Sequence, residues 1–408
     1  MIEALLAIAL FTAIVMTLVG VVLLARAWLL PTGDVVVTVN EGREIPARRG
    51  ETLLRALHAA GVQVPAGCGG RATCGQCRVR VVAGAGDVLP TEAALLARRE
   101  VARGVRLACQ VTVREDLAVS LPEDVLGVQH WTCRVRSARH LTPLLKEIVL
   151  ELPPGEDVGA SAGRYVLVTC PPYRLACRDL PVPAAHRDVW ERLDLLRLSA
   201  GTDAPATRAY SMGNHPGEKG IVMLIVRLAT PPPTAIDAPP GVVSSWLFGL
   251  QPGDEVEVAG PYGHFLVEDD ASELILVGGG AGMAPMRAHL FDQLVCRRSA
   301  RRISFWYGAR HRSELCYVED FDRLQAEHPN FTWTVALSEP RPDGEWQGET
   351  GFIHQVLYRR YLADHPAPEE CAYYLCGPPL MVKAMRSLLD ELGVDPERVK
   401  ADDFGGGT

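Results

Sequence analysis

The sequence predicts a multidomain protein: an N-terminal transmembrane helix, an α+β unit, an antiparallel β-barrel and an α/β unit. Three observations predict it. The chain opens on a long uncharged stretch, four cysteines gather around a glycine-rich loop, and the strand pattern changes from antiparallel to parallel character further on. At 408 residues the chain exceeds what a single hydrophobic core usually organises.

The uncharged stretch runs from Ala4 to Ala25, 22 residues. As a helix it spans roughly 33 Å, against a bilayer core of about 30 Å. A cleaved signal peptide would need a basic start, and Glu3 is the only charge before the apolar run. Arg26 follows it, with Arg43, Arg48 and Arg49 close behind. That bias predicts a single pass with the N-terminus outside and the rest of the chain cytoplasmic. Anchor and linker occupy residues 1–32.

Residues 33–128 read as a small α+β unit. The alternating run VVVTVN is followed by a turn, a helix around Thr52–Ala60 stopped by Gly61, and a strand from Cys77. A further helix is expected from Thr91, as N-cap, to Gly104. Residues 129–269 carry short alternating strands with frequent Gly and Pro, as an antiparallel barrel requires, interrupted by an insertion at 171–206. Residues 270–408 alternate strands and helices, the pattern of a parallel α/β sheet.

The formal charge of −8 excludes an ordinary nucleic-acid binder, which needs a basic face. The 11 cysteines form no even secreted framework, since three fall within ten residues. GCGGRATCGQC sets Cys68, Cys74 and Cys77 as C-x5-C-x2-C, and Cys109 follows in RLACQV. Four thiolates are what a 2Fe–2S cluster needs, and Gly67, Gly69, Gly70 and Gly75 let the backbone wrap closely around it. Structural zinc also takes four cysteines, but its ribbons usually pair two C-x2-C knuckles. This loop resembles those of β-grasp 2Fe–2S ferredoxins, with five residues rather than four between the first two cysteines.

RAYSM, Arg208 to Met212, resembles the R-x-Y-S element of ferredoxin-reductase-like flavoproteins. Arg208 suits the flavin pyrophosphate, Tyr210 the isoalloxazine face, and Ser211 a hydrogen bond near N5, where hydride arrives. GVVSSW puts Gly241, Ser244 and Ser245 at an expected helix start, a phosphate site. GPYGHF, from Gly260, then closes the barrel.

LILVGGGAGMAPMRAHLF leads from a buried strand through Gly278, Gly279, Gly280 and Gly282 into a helix, where a pyrophosphate can meet backbone N–H groups. Pro285 departs from the usual dinucleotide fingerprint, and no acidic residue ends the next strand, FWYGAR. Residue chemistry therefore leaves NADH and NADPH open. YYLCGPPLM carries Cys376, Gly377 and Pro378, which the resemblance places under the nicotinamide; a packed core thiol is the alternative for Cys376. Phe404, in the terminal DDFGG, would by the same resemblance cover the flavin and swing away for nicotinamide.

With TGFIHQVLY and the DDFGG end, these motifs make the whole sequence resemble the F subunits of sodium-translocating NADH:quinone oxidoreductases. SMGNHP and CGGRATC are local departures between ligands. The resemblance implies NADH as donor and FAD as flavin. It implies a 2Fe–2S cluster as one-electron acceptor, with Ser211, Cys376 and Phe404 in catalysis. It further implies a bacterial inner membrane, partner membrane subunits, and quinone reached indirectly. An NADH-dependent reductase component of an oxygenase is the competing enzyme, although such chains generally lack an N-terminal span. A redox-sensing binding module would need lost flavin or nicotinamide motifs, and none is lost.

Overall fold

The computed structural model describes residues 10–21, 33–40, 42–66, 68–121, 125, 128–159, 162–269, 271, 273–340 and 346–402. Their contacts define two units, Met1–Val62 with Arg78–Leu121, and Gln63–Cys77 with Pro122–Thr408.

In the first unit, residues 10–21 are helical and largely exposed, and Thr17 Oγ1 donates to the Ala13 carbonyl at 2.7 Å. No helix among the described residues is long and apolar enough to cross a membrane. The expected span from Ala4 to Ala25 extends into residues 4–9 and 22–25, which lie outside the described set.

The sheet of this unit comprises β1 (Asp34–Val39), β2 (Arg43–Arg48), β3 (Arg78–Ala83), β4 (Val105–Leu107) and β5 (Leu117–Ser120), in the order β2-β1-β5-β3-β4. β1 alternates as its sequence asks, with Val35, Val37 and Val39 buried. Helix Leu53–Ala59 is capped by Thr52, whose side chain accepts from Arg55 N–H, and Gly61 at φ 77 lets the chain leave it.

The single helix expected from Thr91 to Gly104 is two helices, Pro90–Ala93 and Arg98–Ala102. Pro90, at N1, is pre-set for a helix start, so the first cap falls at Leu89 and not at Thr91. Glu92 and Glu100 then reach back to the N–H groups of Leu89 and Ala97, at 3.0 and 2.8 Å. Two separate starts result. Glu92 also pairs with Arg106 at 2.6 Å in the interior.

The second unit holds two larger sheets. The strands β6 (Gln129–Thr142), β7 (Leu145–Glu151), β8 (Tyr165–Cys170), β11 (Ala206–Ser211), β12 (Ile221–Arg227) and β13 (Glu255–Tyr262) form an antiparallel sheet. Its order is β11-β8-β13-β6-β7-β12. A bridge between Met212 and Leu224 joins its two edges and curls it into a barrel. The insertion contributes the hairpin pair β9 (Tyr173–Ala176) and β10 (Ser199–Thr202) and the helix Ala184–Arg192. Trp190, fully buried, anchors this helix by donating to the Pro143 carbonyl at 2.8 Å.

The last sheet comprises β14 (Glu273–Gly278), β15 (Arg302–Ala309), β16 (Phe331–Leu337), β17 (Glu349–Thr350), β18 (Ala372–Cys376) and β19 (Val399–Asp402). All its pairings are parallel, in the order β17-β16-β15-β14-β18-β19. Chain direction across the sheet reverses between β14 and β18. In such folds the crevice at the carboxyl ends of the strands, at that reversal, is where ligands bind.

Candidate active site

The cysteine loop lies with the second unit. Gly69, Gly70, Ala72 and Gly75 all take positive φ, between 58 and 85°, which curls the backbone tightly around Cys68 and Cys74. Gly67 lies outside the described residues. Cys68 and Cys77 are buried and Cys74 is half-buried; Cys109, in the first unit, is buried, and none of the four forms a disulfide with another described residue. Burial works to raise the Cys68 pKa, but hydrogen bonds from the backbone of Thr73 and Cys74, with their side chains, hold it down to about 6. N–H groups aimed at sulfur are what a thiolate-bound cluster requires, so this donor set fits the group. The loop is seated on the barrel. Tyr262 donates its hydroxyl to the Gln63 carbonyl at 3.0 Å, and a Cβ on Gly69 would come within 2.6 Å of Arg208 Nη1.

β11 carries Arg208, Tyr210 and Ser211. Arg208 Nη1 donates to the Thr207 carbonyl at 2.7 Å. Burial pushes the Tyr210 phenol well up, so it stays neutral. Ser211 is buried, and its Oγ donates to Asp402 Oδ2 at 2.7 Å. Asp402 sits opposite Cys376 in the β18–β19 register. One carboxylate thus links the strand read as flavin-binding to the strand read as nicotinamide-binding.

Gly241 is the N-cap of helix Val242–Gly249. Ser244 is engaged in holding that turn, donating to the Gly241 carbonyl at 3.1 Å and accepting from Ala229 N–H at 3.2 Å. Ser245 is fully buried, and its hydroxyl has no hydrogen-bond partner among the described residues. An orphaned hydroxyl beside open helix N–H groups fits a phosphate.

At the carboxyl ends of β14 and β18 the backbones nearly touch. Gly279 N–H donates to the Cys376 carbonyl at 3.3 Å, and a Cβ on Gly282 would lie 2.0 Å from that same oxygen. A Cβ on Gly279 would reach 2.5 Å from the Gly308 carbonyl, and one on Gly278 would reach 2.7 Å from Met286. Gly280 has φ 57. The turn delivers the chain into helix Met283–Phe291, every residue of which is buried. Cys376 is fully buried at the end of β18, and Gly377 and Pro378 lead into helix Pro379–Glu391. This glycine-lined gap fits a dinucleotide. Phe404 lies outside the described residues, two positions beyond the last residue of β19.

Three further groups have no role that the sequence motifs assign. Arg287, in the helix after the glycine turn, donates to the Gly213 carbonyl at 2.8 Å and to both Glu218 oxygens at 3.0 and 2.9 Å. Burial works to raise the Glu218 carboxyl, yet Arg287 holds it below its usual range. Tyr317 donates to Glu147 Oε2 at 2.5 Å. These contacts join the barrel to the parallel sheet. Asp402 is the third; in sequence only its place near a terminal aromatic marks it.

Residues 37–114 match the family described as 2Fe-2S iron-sulfur cluster binding domain. Residues 194–266 match the oxidoreductase FAD-binding domain, and 276–387 the oxidoreductase NAD-binding domain. Among solved structures, the Amycolatopsis cytochrome P450 reductase GcoB is similar at TM-score 0.62 and 27% identity, covering 91% of this chain and 98% of that one. The ferredoxin reductase of carbazole 1,9a-dioxygenase shares the fold, at TM-score 0.59 and 22% identity over 92% of this chain and 99% of its own. Fold and site therefore define an iron–sulfur flavoprotein oxidoreductase that uses NAD, FAD and a 2Fe–2S cluster.

Curated relatives narrow this further. The chain is 50% identical to the F subunit of the Na(+)-translocating NADH-quinone reductase of Methylococcus capsulatus, covering all of both chains. It is 48% identical to that of Klebsiella pneumoniae over 99% of this chain and all of the relative. The chain belongs to the family of Na(+)-translocating NADH-quinone reductase F subunits.

Proposed function

We propose that this chain is the electron-entry subunit of a bacterial membrane NADH:quinone reductase of the sodium-translocating type. FAD, when bound, would supply the chemistry that connects the two-electron hydride of NADH to the one-electron 2Fe–2S cluster. The observation that carries the reading is the Ser211–Asp402 hydrogen bond, with Asp402 registered against Cys376. It sets the flavin strand beside the turn expected to receive nicotinamide.

The residues then divide the work. Arg208, with the helix start at Gly241, Ser244 and Ser245, would neutralise and orient the flavin phosphates. Tyr210, neutral and apolar-faced, would lie along the ring, and Ser211 would present its hydroxyl where hydride arrives. Gly278, Gly279, Gly280 and Gly282 would admit the dinucleotide to backbone N–H groups, while Cys376, Gly377 and Pro378 would form the floor beneath nicotinamide. Phe404 would cover the flavin between turnovers. Cys68, Cys74, Cys77 and Cys109 would hold the cluster.

The same reading divides the chain into an anchor at 1–32, a ferredoxin domain at 33–128, an FAD domain at 129–269 and an NADH domain at 270–408. It makes the anchor a single pass with the catalytic domains cytoplasmic. Electrons leave the cluster for other membrane subunits, which hold the quinone site. Similarity to reductases of a cytochrome P450 and a dioxygenase favours a second reading, delivery to an oxygenase. The test is anaerobic mixing with NADH, followed by flavin absorbance and cluster EPR, then addition of the detergent-purified membrane complex lacking this chain. Bleached flavin and a reduced cluster that cannot restore quinone reduction would sink the first reading.

A further inference from the structure

The amino end of helix Val242–Gly249 carries Gly241, Ser244 and Ser245, the residues assigned to the flavin phosphates, and a buried lysine holds its other end. Lys146, on β7, is 1% exposed, yet its Nζ donates to the carbonyls of Phe248 at 2.7 Å and Leu250 at 2.8 Å. The last carbonyls of a helix have no partner within it and carry partial negative charge, which a cation offsets. Without such partners an ammonium would not stay charged in this interior. The helix end is packed as well as capped, with the rings of His140 and Trp190 centred 5.4 and 6.2 Å from that of Phe248.

We infer that Lys146 is a positioning residue for the flavin phosphates, fixing the aim of helix Val242–Gly249 and reinforcing the positive end-charge at its start. The inference rests on the assignment of Gly241–Ser245 to those phosphates. Lys146 touches no cofactor itself; it acts through a helix of eight residues.

The charged and titratable groups around it are few. Asp254, in the loop after the helix, supplies opposite charge; His140 faces Lys146 across the β6–β7 register, and His186 lies against His140. Burial first, then the charges of Lys146 and His186, lowers the His140 pKa to about 4, so it stays neutral above pH 6. Burial lowers the Lys146 ammonium to about 8, where ordinary buffers reach it.

Two quantities then move in opposite directions as pH rises from 7 to 9.5. FAD affinity falls several-fold as Lys146 loses its charge. The Lys146 contribution to folding stability improves, because the unfolded chain keeps this lysine protonated up to about pH 10.4 and the folded chain no longer does.

The experiment titrates full-length protein, stripped of flavin, with FAD and with riboflavin, which has no phosphate. Wild type, Lys146→Met and Lys146→Arg are compared at pH 7, and wild type again across the pH range with thermal melts alongside. Lys146→Met should weaken FAD binding about tenfold, leave riboflavin binding unchanged, and be partly rescued in Lys146→Arg. Equal losses for both flavins, or none, would overturn the role of Lys146. Should Lys146→Met not fold, Lys146→Gln takes its place, and an FAD affinity equal to wild type in that variant would overturn it equally. A wild type that binds riboflavin as tightly as FAD would instead remove the phosphate assignment on which the inference stands.

Discussion

Ser211 Oγ donates to Asp402 Oδ2 at 2.7 Å, joining residues 191 positions apart, and the β18–β19 register sets Asp402 against Cys376. The hydroxyl is thereby oriented from the sheet that binds the dinucleotide. Ser211→Ala should slow NADH-driven flavin reduction by about tenfold or more while FAD remains bound, the size expected for a transition-state hydrogen bond. Asp402→Ala should slow it in the same direction by releasing the end of β19. Stopped-flow absorbance at saturating NADH reads both, and unchanged rates would leave the contact structural only.

Cys74→Ser should abolish the 2Fe–2S EPR signal while FAD stays bound and NADH still bleaches it. Acceptors that draw directly from flavin should continue to work, and delivery beyond the cluster should stop. Loss of flavin reduction in a folded Cys74→Ser protein would contradict the proposed electron order.

Glu92 makes the stability of the first unit sensitive to acid. Burial works to raise its pKa, but the hydrogen bond from Arg106, the N–H groups of Leu89 and Leu107, and the Arg106 charge hold it below the ordinary value. An unfolded glutamate titrates near 4.3, roughly. The stabilisation is therefore complete above that pH and is lost as pH falls through the lower folded value. Chemical denaturation of wild type and Glu92→Gln between pH 7 and 3 should show this acid-dependent component only in wild type. Arg106→Met should cost about 3–5 kcal/mol at pH 7, since it strands a buried carboxylate.

Removing residues 1–32 should give a protein that leaves the membrane pellet and keeps FAD and cluster in full. β1 begins at Asp34, so the cut spares every described strand. A truncated protein that sedimented with membranes without aggregating would reveal a second membrane contact.

NADH reduction of FAD and cluster in the isolated chain should not distinguish sodium from potassium at matched ionic strength. Carrying an ion through a bilayer requires polar or ionisable groups at membrane depth. The stretch Ala4 to Ala25 offers only Thr12 and Thr17, and Thr17 already gives its proton to the Ala13 carbonyl. A large rate difference specific to sodium would require an ion site within this chain.

The parts of the candidate site that the sequence offers are those whose chemistry is local. The cysteine loop and the two glycine turns each compress several backbone requirements into a few residues, and those requirements restrict the residue types sharply. Asp402, Lys146 and the Arg287–Glu218 pair are illegible for the opposite reason. Each is an ordinary polar residue whose partner is distant in sequence and brought close only by tertiary packing. The segment at 91–104 misleads at shorter range. Its run of helix-favouring residues continues unbroken, and only Pro90 and the reach of Glu92 and Glu100 show that the backbone starts twice.

The closest backbone approach at the nucleotide turn also bears on how these proteins diverge. With 2.0 Å between a would-be Cβ at Gly282 and the Cys376 carbonyl, no side chain at all is admitted there. Substitution at Gly282 cannot be rescued by swapping neighbouring side chains, because the obstacle is main chain. Drift within the crevice must therefore pass through the surrounding side chains, such as Met286 beside Gly278, Ile353 beside Gly308 and Met381 beside Gly279 and Gly377, while the two strand ends stay frozen together. Lineages that retool nucleotide preference would be expected to change those walls first and the turn last.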